Sequence, residues 1–397
     1  MTTTAMKIFG EIRNYPVIST HCHHLPDEEY TGADLRFVLK NSYAGWVAPP
    51  PDFKDMNAVA EYISRYRCNS YFRWLFAALE ELYRIPFRID TVEALDDAVK
   101  RAYVNQNHHL NVLNKDCRYV RVVNERQPSP GSNLNHPELF SPSARCDCYF
   151  SGYVRDKAEP NGFYPYSSFE NPDISTLAEY IGQMRLAIAN YKKNGSVALK
   201  VAIAYERPLR FENTSAAAAA KAFNNPHATP GEISDFGDYV MFEIAAAAAE
   251  NDLPLQIHTG MGILDATNPM GLLKLIRSNP ETKFHLLHGG FPWTDDTYAL
   301  LSGFENVWSD TCWLPYLSTR RAREYLITAL EVSDAYRLTW GCDAWMPEDS
   351  KGALTAMENV LSEALAEMVD DGAFNMSYAL FLANRILYHN ARGLFNI

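Results

Sequence analysis

Short apolar runs of strand length alternate with longer helical stretches through the C-terminal two thirds of the chain, and this alternation constrains the fold more than any other feature. Residues 197–205, 253–258, 283–288, 306–311 and 337–343 read as strands. Residues 234–251, 268–278 and 319–330 read as helices, the first favoured by its alanines at 245–249. Strand–helix–strand alternation produces a parallel sheet with crossover helices on its faces. One βα unit's length of chain separates His258 from His288, and close to two units separate His288 from Asp343, so these runs are consecutive strands of one sheet. Upstream, residues 16–21, 118–123 and 147–152 are further strand candidates. The total is then eight, the number in a (β/α)8 barrel. The expectation is an α/β fold, a (β/α)8 TIM barrel built from residues 1–24 and 116–397.

Residues 25–115 are too long for an ordinary first crossover. They are rich in aromatics, among them Tyr43, Trp46, Tyr71 and Trp74, and read as helical from 56 to 83. An insertion after the first strand lies on the face where barrel active sites sit, so a helical cap over the pocket is expected. A subdomain serving stability or oligomer contacts is the other reading. Residues 353–397 read as helices that complete the outer ring.

A hydrophobic content of 47% excludes a disordered chain. The net charge of −12 argues against nucleic acid or an anionic membrane as partner. No apolar run approaches the roughly 18 residues of a membrane span. The N-terminal stretch lacks the basic segment and apolar core of a signal peptide. Seven cysteines are an odd number without zinc-finger spacing, and Cys146-Asp147-Cys148 is too tight for a CxxC pair. Reduced, mostly buried thiols in a cytoplasmic protein are expected. The insertion is compatible with a homo-oligomer, and a small-molecule substrate is the expected partner.

Chemistry concentrates at strand ends. In Thr20-His21-Cys22-His23-His24, residues i and i+2 of a strand share a face, so His21 and His23 stand together. Two imidazoles so placed can bind one metal ion. Two further strands end in His258-Thr259-Gly260 and His288-Gly289-Gly290, and the last ends in Asp343. Four strands thus finish in metal-competent side chains, whereas His108, His109, His136, His227, His285 and His389 scatter. Lys200 shares its strand face with Ala198, Ala202 and Ala204, which leave room for it to reach inward. A buried lysine needs a partner or a modification.

This arrangement resembles the amidohydrolase superfamily, whose pattern is HxH on strand one, sometimes Lys on strand four, His on strands five and six, and Asp on strand eight. The matching positions are His21, His23, Lys200, His258, His288 and Asp343. The tracts IHTGMG, FHLLHGGFPW and TWGCDAW are similar to the amidohydrolase 2 branch. That branch includes the barrel domain of some glutamine-synthetase-like proteins and is distantly akin to uronate isomerases. The resemblance implies one divalent ion held by His21, His23, His258 and Asp343, with Zn²⁺ expected and Mn²⁺, Fe²⁺ or Ni²⁺ accepted by the same donors. It also implies catalytic roles for Asp343, as acceptor and donor of a proton, and for His288, as a donor to the substrate carbonyl or a further ligand.

Lys200 is expected to contact substrate, with a carbamylated metal bridge and a structural ion pair as alternatives. Arg207, just past strand four, is a candidate for holding an acidic substrate. Trp293, Trp313 and Trp345 follow strand ends and could floor the pocket; Trp313 and Trp345 are taken as substrate contacts. Arg67 and Arg73 could reach down from a cap, while Glu348 and Asp349 read as solvated or as helix caps. The expected function is hydrolysis of a small anionic amide, ester or lactone. The alternatives are a sugar-acid isomerase, a decarboxylase, or a barrel kept as a binding module, the last disfavoured because every metal position is filled.

Overall fold

A computed structural model of the chain describes residues 1–126, 130–160 and 162–397. Eight strands lie in sequence order in one parallel sheet: β1 (Val17–Cys22), β2 (Tyr119–Asn124), β3 (Phe140–Arg145), β4 (Ala198–Val201), β5 (Leu255–His258), β6 (Phe284–Leu287), β7 (Val307–Asp310) and β8 (Leu338–Thr339). Each pairs in parallel with the next. Three backbone hydrogen bonds return the chain from β8 to β1: Thr20 N to Trp340 O (3.3 Å), Asp343 N to His21 O (3.0 Å) and His23 N to Ala344 O (3.0 Å). These bonds complete the expected TIM barrel, and they join the segment carrying two metal-competent histidines to the one carrying the aspartate.

The strands are short and, apart from Val120 and Arg121 in β2, largely buried on both faces, as a parallel sheet covered by helices requires. The crossover helices carry the signals of their ends. Leu177–Lys193 starts from a Thr176/Glu179 capping box, and Pro230–Glu250 from a Thr229/Glu232 box with proline at its first position. Inside the barrel the buried side chains are partly polar and satisfy one another. Ser143 donates to Gln256 (2.9 Å), Gln256 Nε2 to Thr20 O (2.8 Å), and Asp310 accepts from Thr20, Thr339 (2.6 Å) and Cys312 N (2.5 Å). This polar plug fixes the strand ends directly beneath the site.

The third strand differs from the sequence expectation. Residues 147–151 form a 3-10 turn, and β3 is the preceding Phe140–Arg145. Its sequence, FSPSAR, contains a proline and small polar residues, which read as loop. The aromatic run after it turns because Asp147 accepts from Ala202 N (2.9 Å) and from Arg145 Nε (2.6 Å). β4 also stops early, at Val201, and residues Ile203–Tyr205 form another 3-10 turn.

Between β1 and β2 the chain is helical: Leu35–Lys40, Tyr43–Val47, Met56–Tyr66, Ser70–Tyr83, Val92–Tyr103 and His108–Asn111. The long helix Pro347–Asp370 packs against Ser70–Tyr83, Thr3–Ile12 and Thr319–Val332, and so ties these helices to the barrel. Glu348 and Asp349 in its first turn are buried, not solvated. Glu348 accepts from Tyr83 (2.5 Å) and Tyr103 (3.0 Å), and Asp349 from Tyr316 (2.5 Å). Six cysteines are buried, Cys68 is exposed, and none forms a disulfide among the described residues. No described helix is long and apolar enough to cross a membrane.

Candidate metal centre and active site

His21 and His23 project from the end of β1 onto one face, as the two-residue period of a strand demands. Asp343 reaches them from across the closing seam. Its Oδ1 stands 3.2 Å from His23 Nε2 and 3.6 Å from His21 Nε2, and its Oδ2 stands 3.6 Å from His288 Nδ1. Ligand atoms of His21, His23 and Asp343 all lie within 4.8 Å of one another, and so do those of His288, Cys312 and Asp343. Three site residues adopt left-handed backbone: His288 (φ 67°), Trp313 (φ 64°) and Asp343 (φ 55°). Such conformations cost about 1–3 kcal/mol each in non-glycine residues and persist where surrounding structure enforces them, most often at functional sites.

His258 sits beside His288 and outside the His21–His23–Asp343 group. His258 Nε2 donates to Met261 O (2.5 Å), because the loop after β5 folds back at Gly260, where φ is 85°. A Cβ at Gly260 would stand 2.1 Å from Phe291 O, so the turn requires glycine. His288 Nε2 lies 2.9 Å from His258 Nδ1, and His288 Nδ1 lies 3.2 Å from both the Cys312 carbonyl oxygen and the Cys312 thiol.

The electrostatics lower His21, His258 and His288 and hold the carboxylate charged. Burial, Lys200 and the neighbouring histidines hold His21 well below the ordinary imidazole range. Burial, His288 and Lys200 do the same to His258, and burial lowers His288 to about 4 against the pull of Asp343. Burial opposes ionisation of Asp343, but the hydrogen bond from His23 and the electrostatic interaction with His21, His288 and His23 hold it well below the carboxylate range. Lys200 Nζ lies 3.0 Å from His21 Nε2, fully buried, and burial lowers it too despite Glu125 and Asp343. Donation from Lys200 to His21 Nε2 puts the His21 proton on Nδ1, which has no partner among the described residues, so an ion that takes Nε2 must displace Lys200. Two nitrogen donors and an ionised oxygen donor facing one another are a set that fits a divalent cation.

These groups open into a cavity of about 560 Å³. Trp345 stacks on His23 (5.2 Å between centroids), Trp313 meets His288 edge-on (5.4 Å), and Tyr43 from the β1–β2 helices lies between the two indoles. Lys200, Trp313 and Trp345 thus line the cavity, as the sequence leads one to expect. Arg207 does not. It pairs with Asp238, lies over the Phe211 ring at 4.7 Å and lines a separate cavity, because the turn after β4 carries it outward. Trp293, Arg67 and Arg73 are also absent from the lining.

The arginines that do line the site are Arg126 and Arg145, which sequence reasoning missed. Arg145 is held by Asp147 (2.6 Å) and by Glu125 (3.5 Å). Glu125 also faces His23 Nδ1, with Oε2 at 3.8 Å and the backbone carbonyl at 3.4 Å, and so orients that imidazole. A signal was available for all three: Glu125 and Arg126 follow β2 and Arg145 ends β3, the same strand-end positions that singled out the histidines. Tyr205 and Glu206 complete the wall; burial and the carboxylates of Asp147 and Glu159 raise Glu206 to about 7.

Comparison with known proteins places this geometry in context. Over 159 residues, 38% of the chain, the sequence is 31% identical to Protein fluG of Emericella nidulans, and the match spans 18% of that relative's length. Uronate isomerase from Thermotoga maritima superposes with a TM-score of 0.77 at 19% identity, covering 100% of this chain and 98% of that one. Glucuronate isomerase from Caulobacter crescentus superposes at 0.78 with 15% identity, covering 99% and 94%. At these identities the likeness establishes the shared barrel. The model of the family described as Amidohydrolase matches residues 180–397, more than half the chain and the part that carries Lys200, His258, His288 and Asp343, and the chain belongs to that family.

Proposed function

We propose that the chain is a metal-dependent hydrolase of a small anionic amide, ester or lactone. The observation that carries this reading is Asp343, one oxygen of which faces His21 and His23 while the other faces His288. His21, His23 and Asp343 would hold the ion, with His258 the next donor beyond His288. Zn²⁺ suits this set best, and Mn²⁺, Fe²⁺ or Ni²⁺ are accommodated. A divalent cation there supplies Lewis-acid polarisation of carbonyl and water oxygens.

The chain's own residues supply the rest. Asp343, ionised at neutral pH, accepts the proton of the attacking water on Oδ2 and returns it to the leaving oxygen or nitrogen. His288, whose Nδ1 lies 3.6 Å from Asp343 Oδ2, stands where it would orient the substrate carbonyl. Arg145, Arg126 and Lys200 bind the anionic group of the substrate. Trp313, Trp345 and Tyr43 pack its apolar body and exclude water.

Isomerisation of a sugar acid is the second reading. It is favoured by the arginines on the cavity wall and by the near-complete overlap with uronate isomerase folds. Turnover in H₂¹⁸O separates the two. Zn²⁺-loaded protein is offered a panel of anionic esters, lactones and amides alongside hexuronates. Hydrolysis places one ¹⁸O in a product carboxyl group, which is the expected result. Turnover of a hexuronate with no carboxyl label, and none of the panel esters, lactones or amides cleaved, would replace hydrolysis by isomerisation.

A further inference from the structure

Two of the histidines that scatter along the sequence meet outside the cavity. His109, at the end of the β1–β2 helices, and His136, between β2 and β3, both turn Nε2 toward Asp27, which follows β1. His109 Nε2 lies 3.0 Å from Asp27 Oδ1, and His136 Nε2 lies 2.9 Å from both Asp27 oxygens. The three ligand atoms fall within 4.8 Å of one another, with His109 buried, His136 half-buried and Asp27 open to solvent.

We propose that Asp27, His109 and His136 form a second divalent-cation site, separate from the His21–His23–Asp343 centre and taking a borderline ion such as Zn²⁺. Two observations support it. Donors held about 2.1 Å from a tetrahedral ion stand about 3.4 Å apart, and the separations here, 2.9–3.0 Å, need to open by only about 0.4 Å to admit one. His136 Nδ1 faces the Glu138 carboxylate at 3.5 Å. A carboxylate behind the imidazole is the usual support of a metal-ligating histidine.

The site has a structural consequence for the cavity. The 3-10 turn Asp27–Tyr30 also carries Glu29, which pairs with Arg126, and Tyr30, whose hydroxyl donates to Trp345 O (3.0 Å) and whose ring stacks on His109 (4.5 Å). An ion on Asp27 therefore pins the turn that holds two residues of the cavity wall.

The test is metal stoichiometry on the full chain with Zn²⁺ as the probe. Wild-type protein equilibrated with Zn²⁺ and desalted should carry two ions by elemental analysis. His136→Ala and Asp27→Asn, both at partly exposed positions, should each carry one, and His21→Ala should carry one. Loading His21→Ala with Co²⁺ should still give the visible absorption of a bound ion, and adding His136→Ala should abolish it. Equal zinc content in wild type, His136→Ala and Asp27→Asn would overturn the site and leave His136 as a protonated partner of Asp27. Loss of zinc from His21→Ala alone, with wild-type content in the other two variants, would support the catalytic centre and overturn this site.

Discussion

Gly341→Ala tests whether the β1–β8 seam positions the metal-competent residues. A Cβ built at Gly341 stands 2.6 Å from His21 N, 2.7 Å from Thr20 Oγ1 and 3.0 Å from His21 O, where ordinary contacts begin at 3.4 Å. Two of the three atoms are backbone and cannot swing aside, so the seam must open by about 0.8 Å. Overpacking of this kind costs about 1–3 kcal/mol. For a chain of this size that is a fall of a few degrees in Tm. The functional loss should be larger than the loss of stability. Opening the seam by that amount takes Asp343 Oδ1 from 3.2 Å to about 4 Å from His23 Nε2, beyond hydrogen-bonding range. Misplacement of about 1 Å in a catalytic constellation can cost on the order of 10²-fold in rate. The assay pairs a thermal melt with Zn²⁺ titration and turnover. Gly10→Ala is the control: it lies in the helix Thr3–Ile12 with nothing within 4 Å of an added Cβ, and should be neutral or stabilising. Wild-type Tm and zinc affinity in Gly341→Ala would refute the reasoning.

Other predictions follow from the same geometry. His288 is lowered to about 4 from an ordinary 6.5, so the folded state binds fewer protons than the unfolded state between those values. Its contribution to stability is complete above about 6.5 and lost as pH falls toward 4, about 3 kcal/mol in all. Urea midpoints of metal-free protein should fall across that window, and a flat profile would show that His288 is not buried neutral. Arg207→Ala should leave kcat and KM for an anionic substrate unchanged, whereas Arg145→Met should raise KM by tenfold or more; equal effects would place Arg207 in the site after all. Lys200→Met removes a donor that competes for His21 Nε2, so zinc should bind about fivefold more tightly if that hydrogen bond contributes about 1 kcal/mol. Loss of zinc in that variant would instead make Lys200 part of the metal centre.

The barrel and the four metal-competent strand ends were legible because short apolar strands, each closed by a histidine or aspartate, leave a local signature. What was hidden depended on chain geometry between residues distant in sequence. β3 escaped because Pro142 and its small polar neighbours imitate a loop, while the aromatic run after Asp147 imitates a strand. Arg207 was counted into the site as though β4 continued, but the turn at Ile203–Tyr205 sends it outward. His258 was legible as a strand-end histidine, yet its rotation toward Met261 depends on the turn at Gly260, which spacing does not encode. Glu125, Arg126 and Arg145 stood at strand ends like the histidines but looked like ordinary surface charges. The meeting of Asp27, His109 and His136 depends on how the β1–β2 helices return to the barrel, and no local pattern carries that.

The most direct test of the central claim is anomalous diffraction at the zinc edge from crystals of Zn²⁺-loaded protein. The account predicts a peak bounded by His21, His23 and Asp343. No peak among those three residues, whatever is found elsewhere in the molecule, would contradict it.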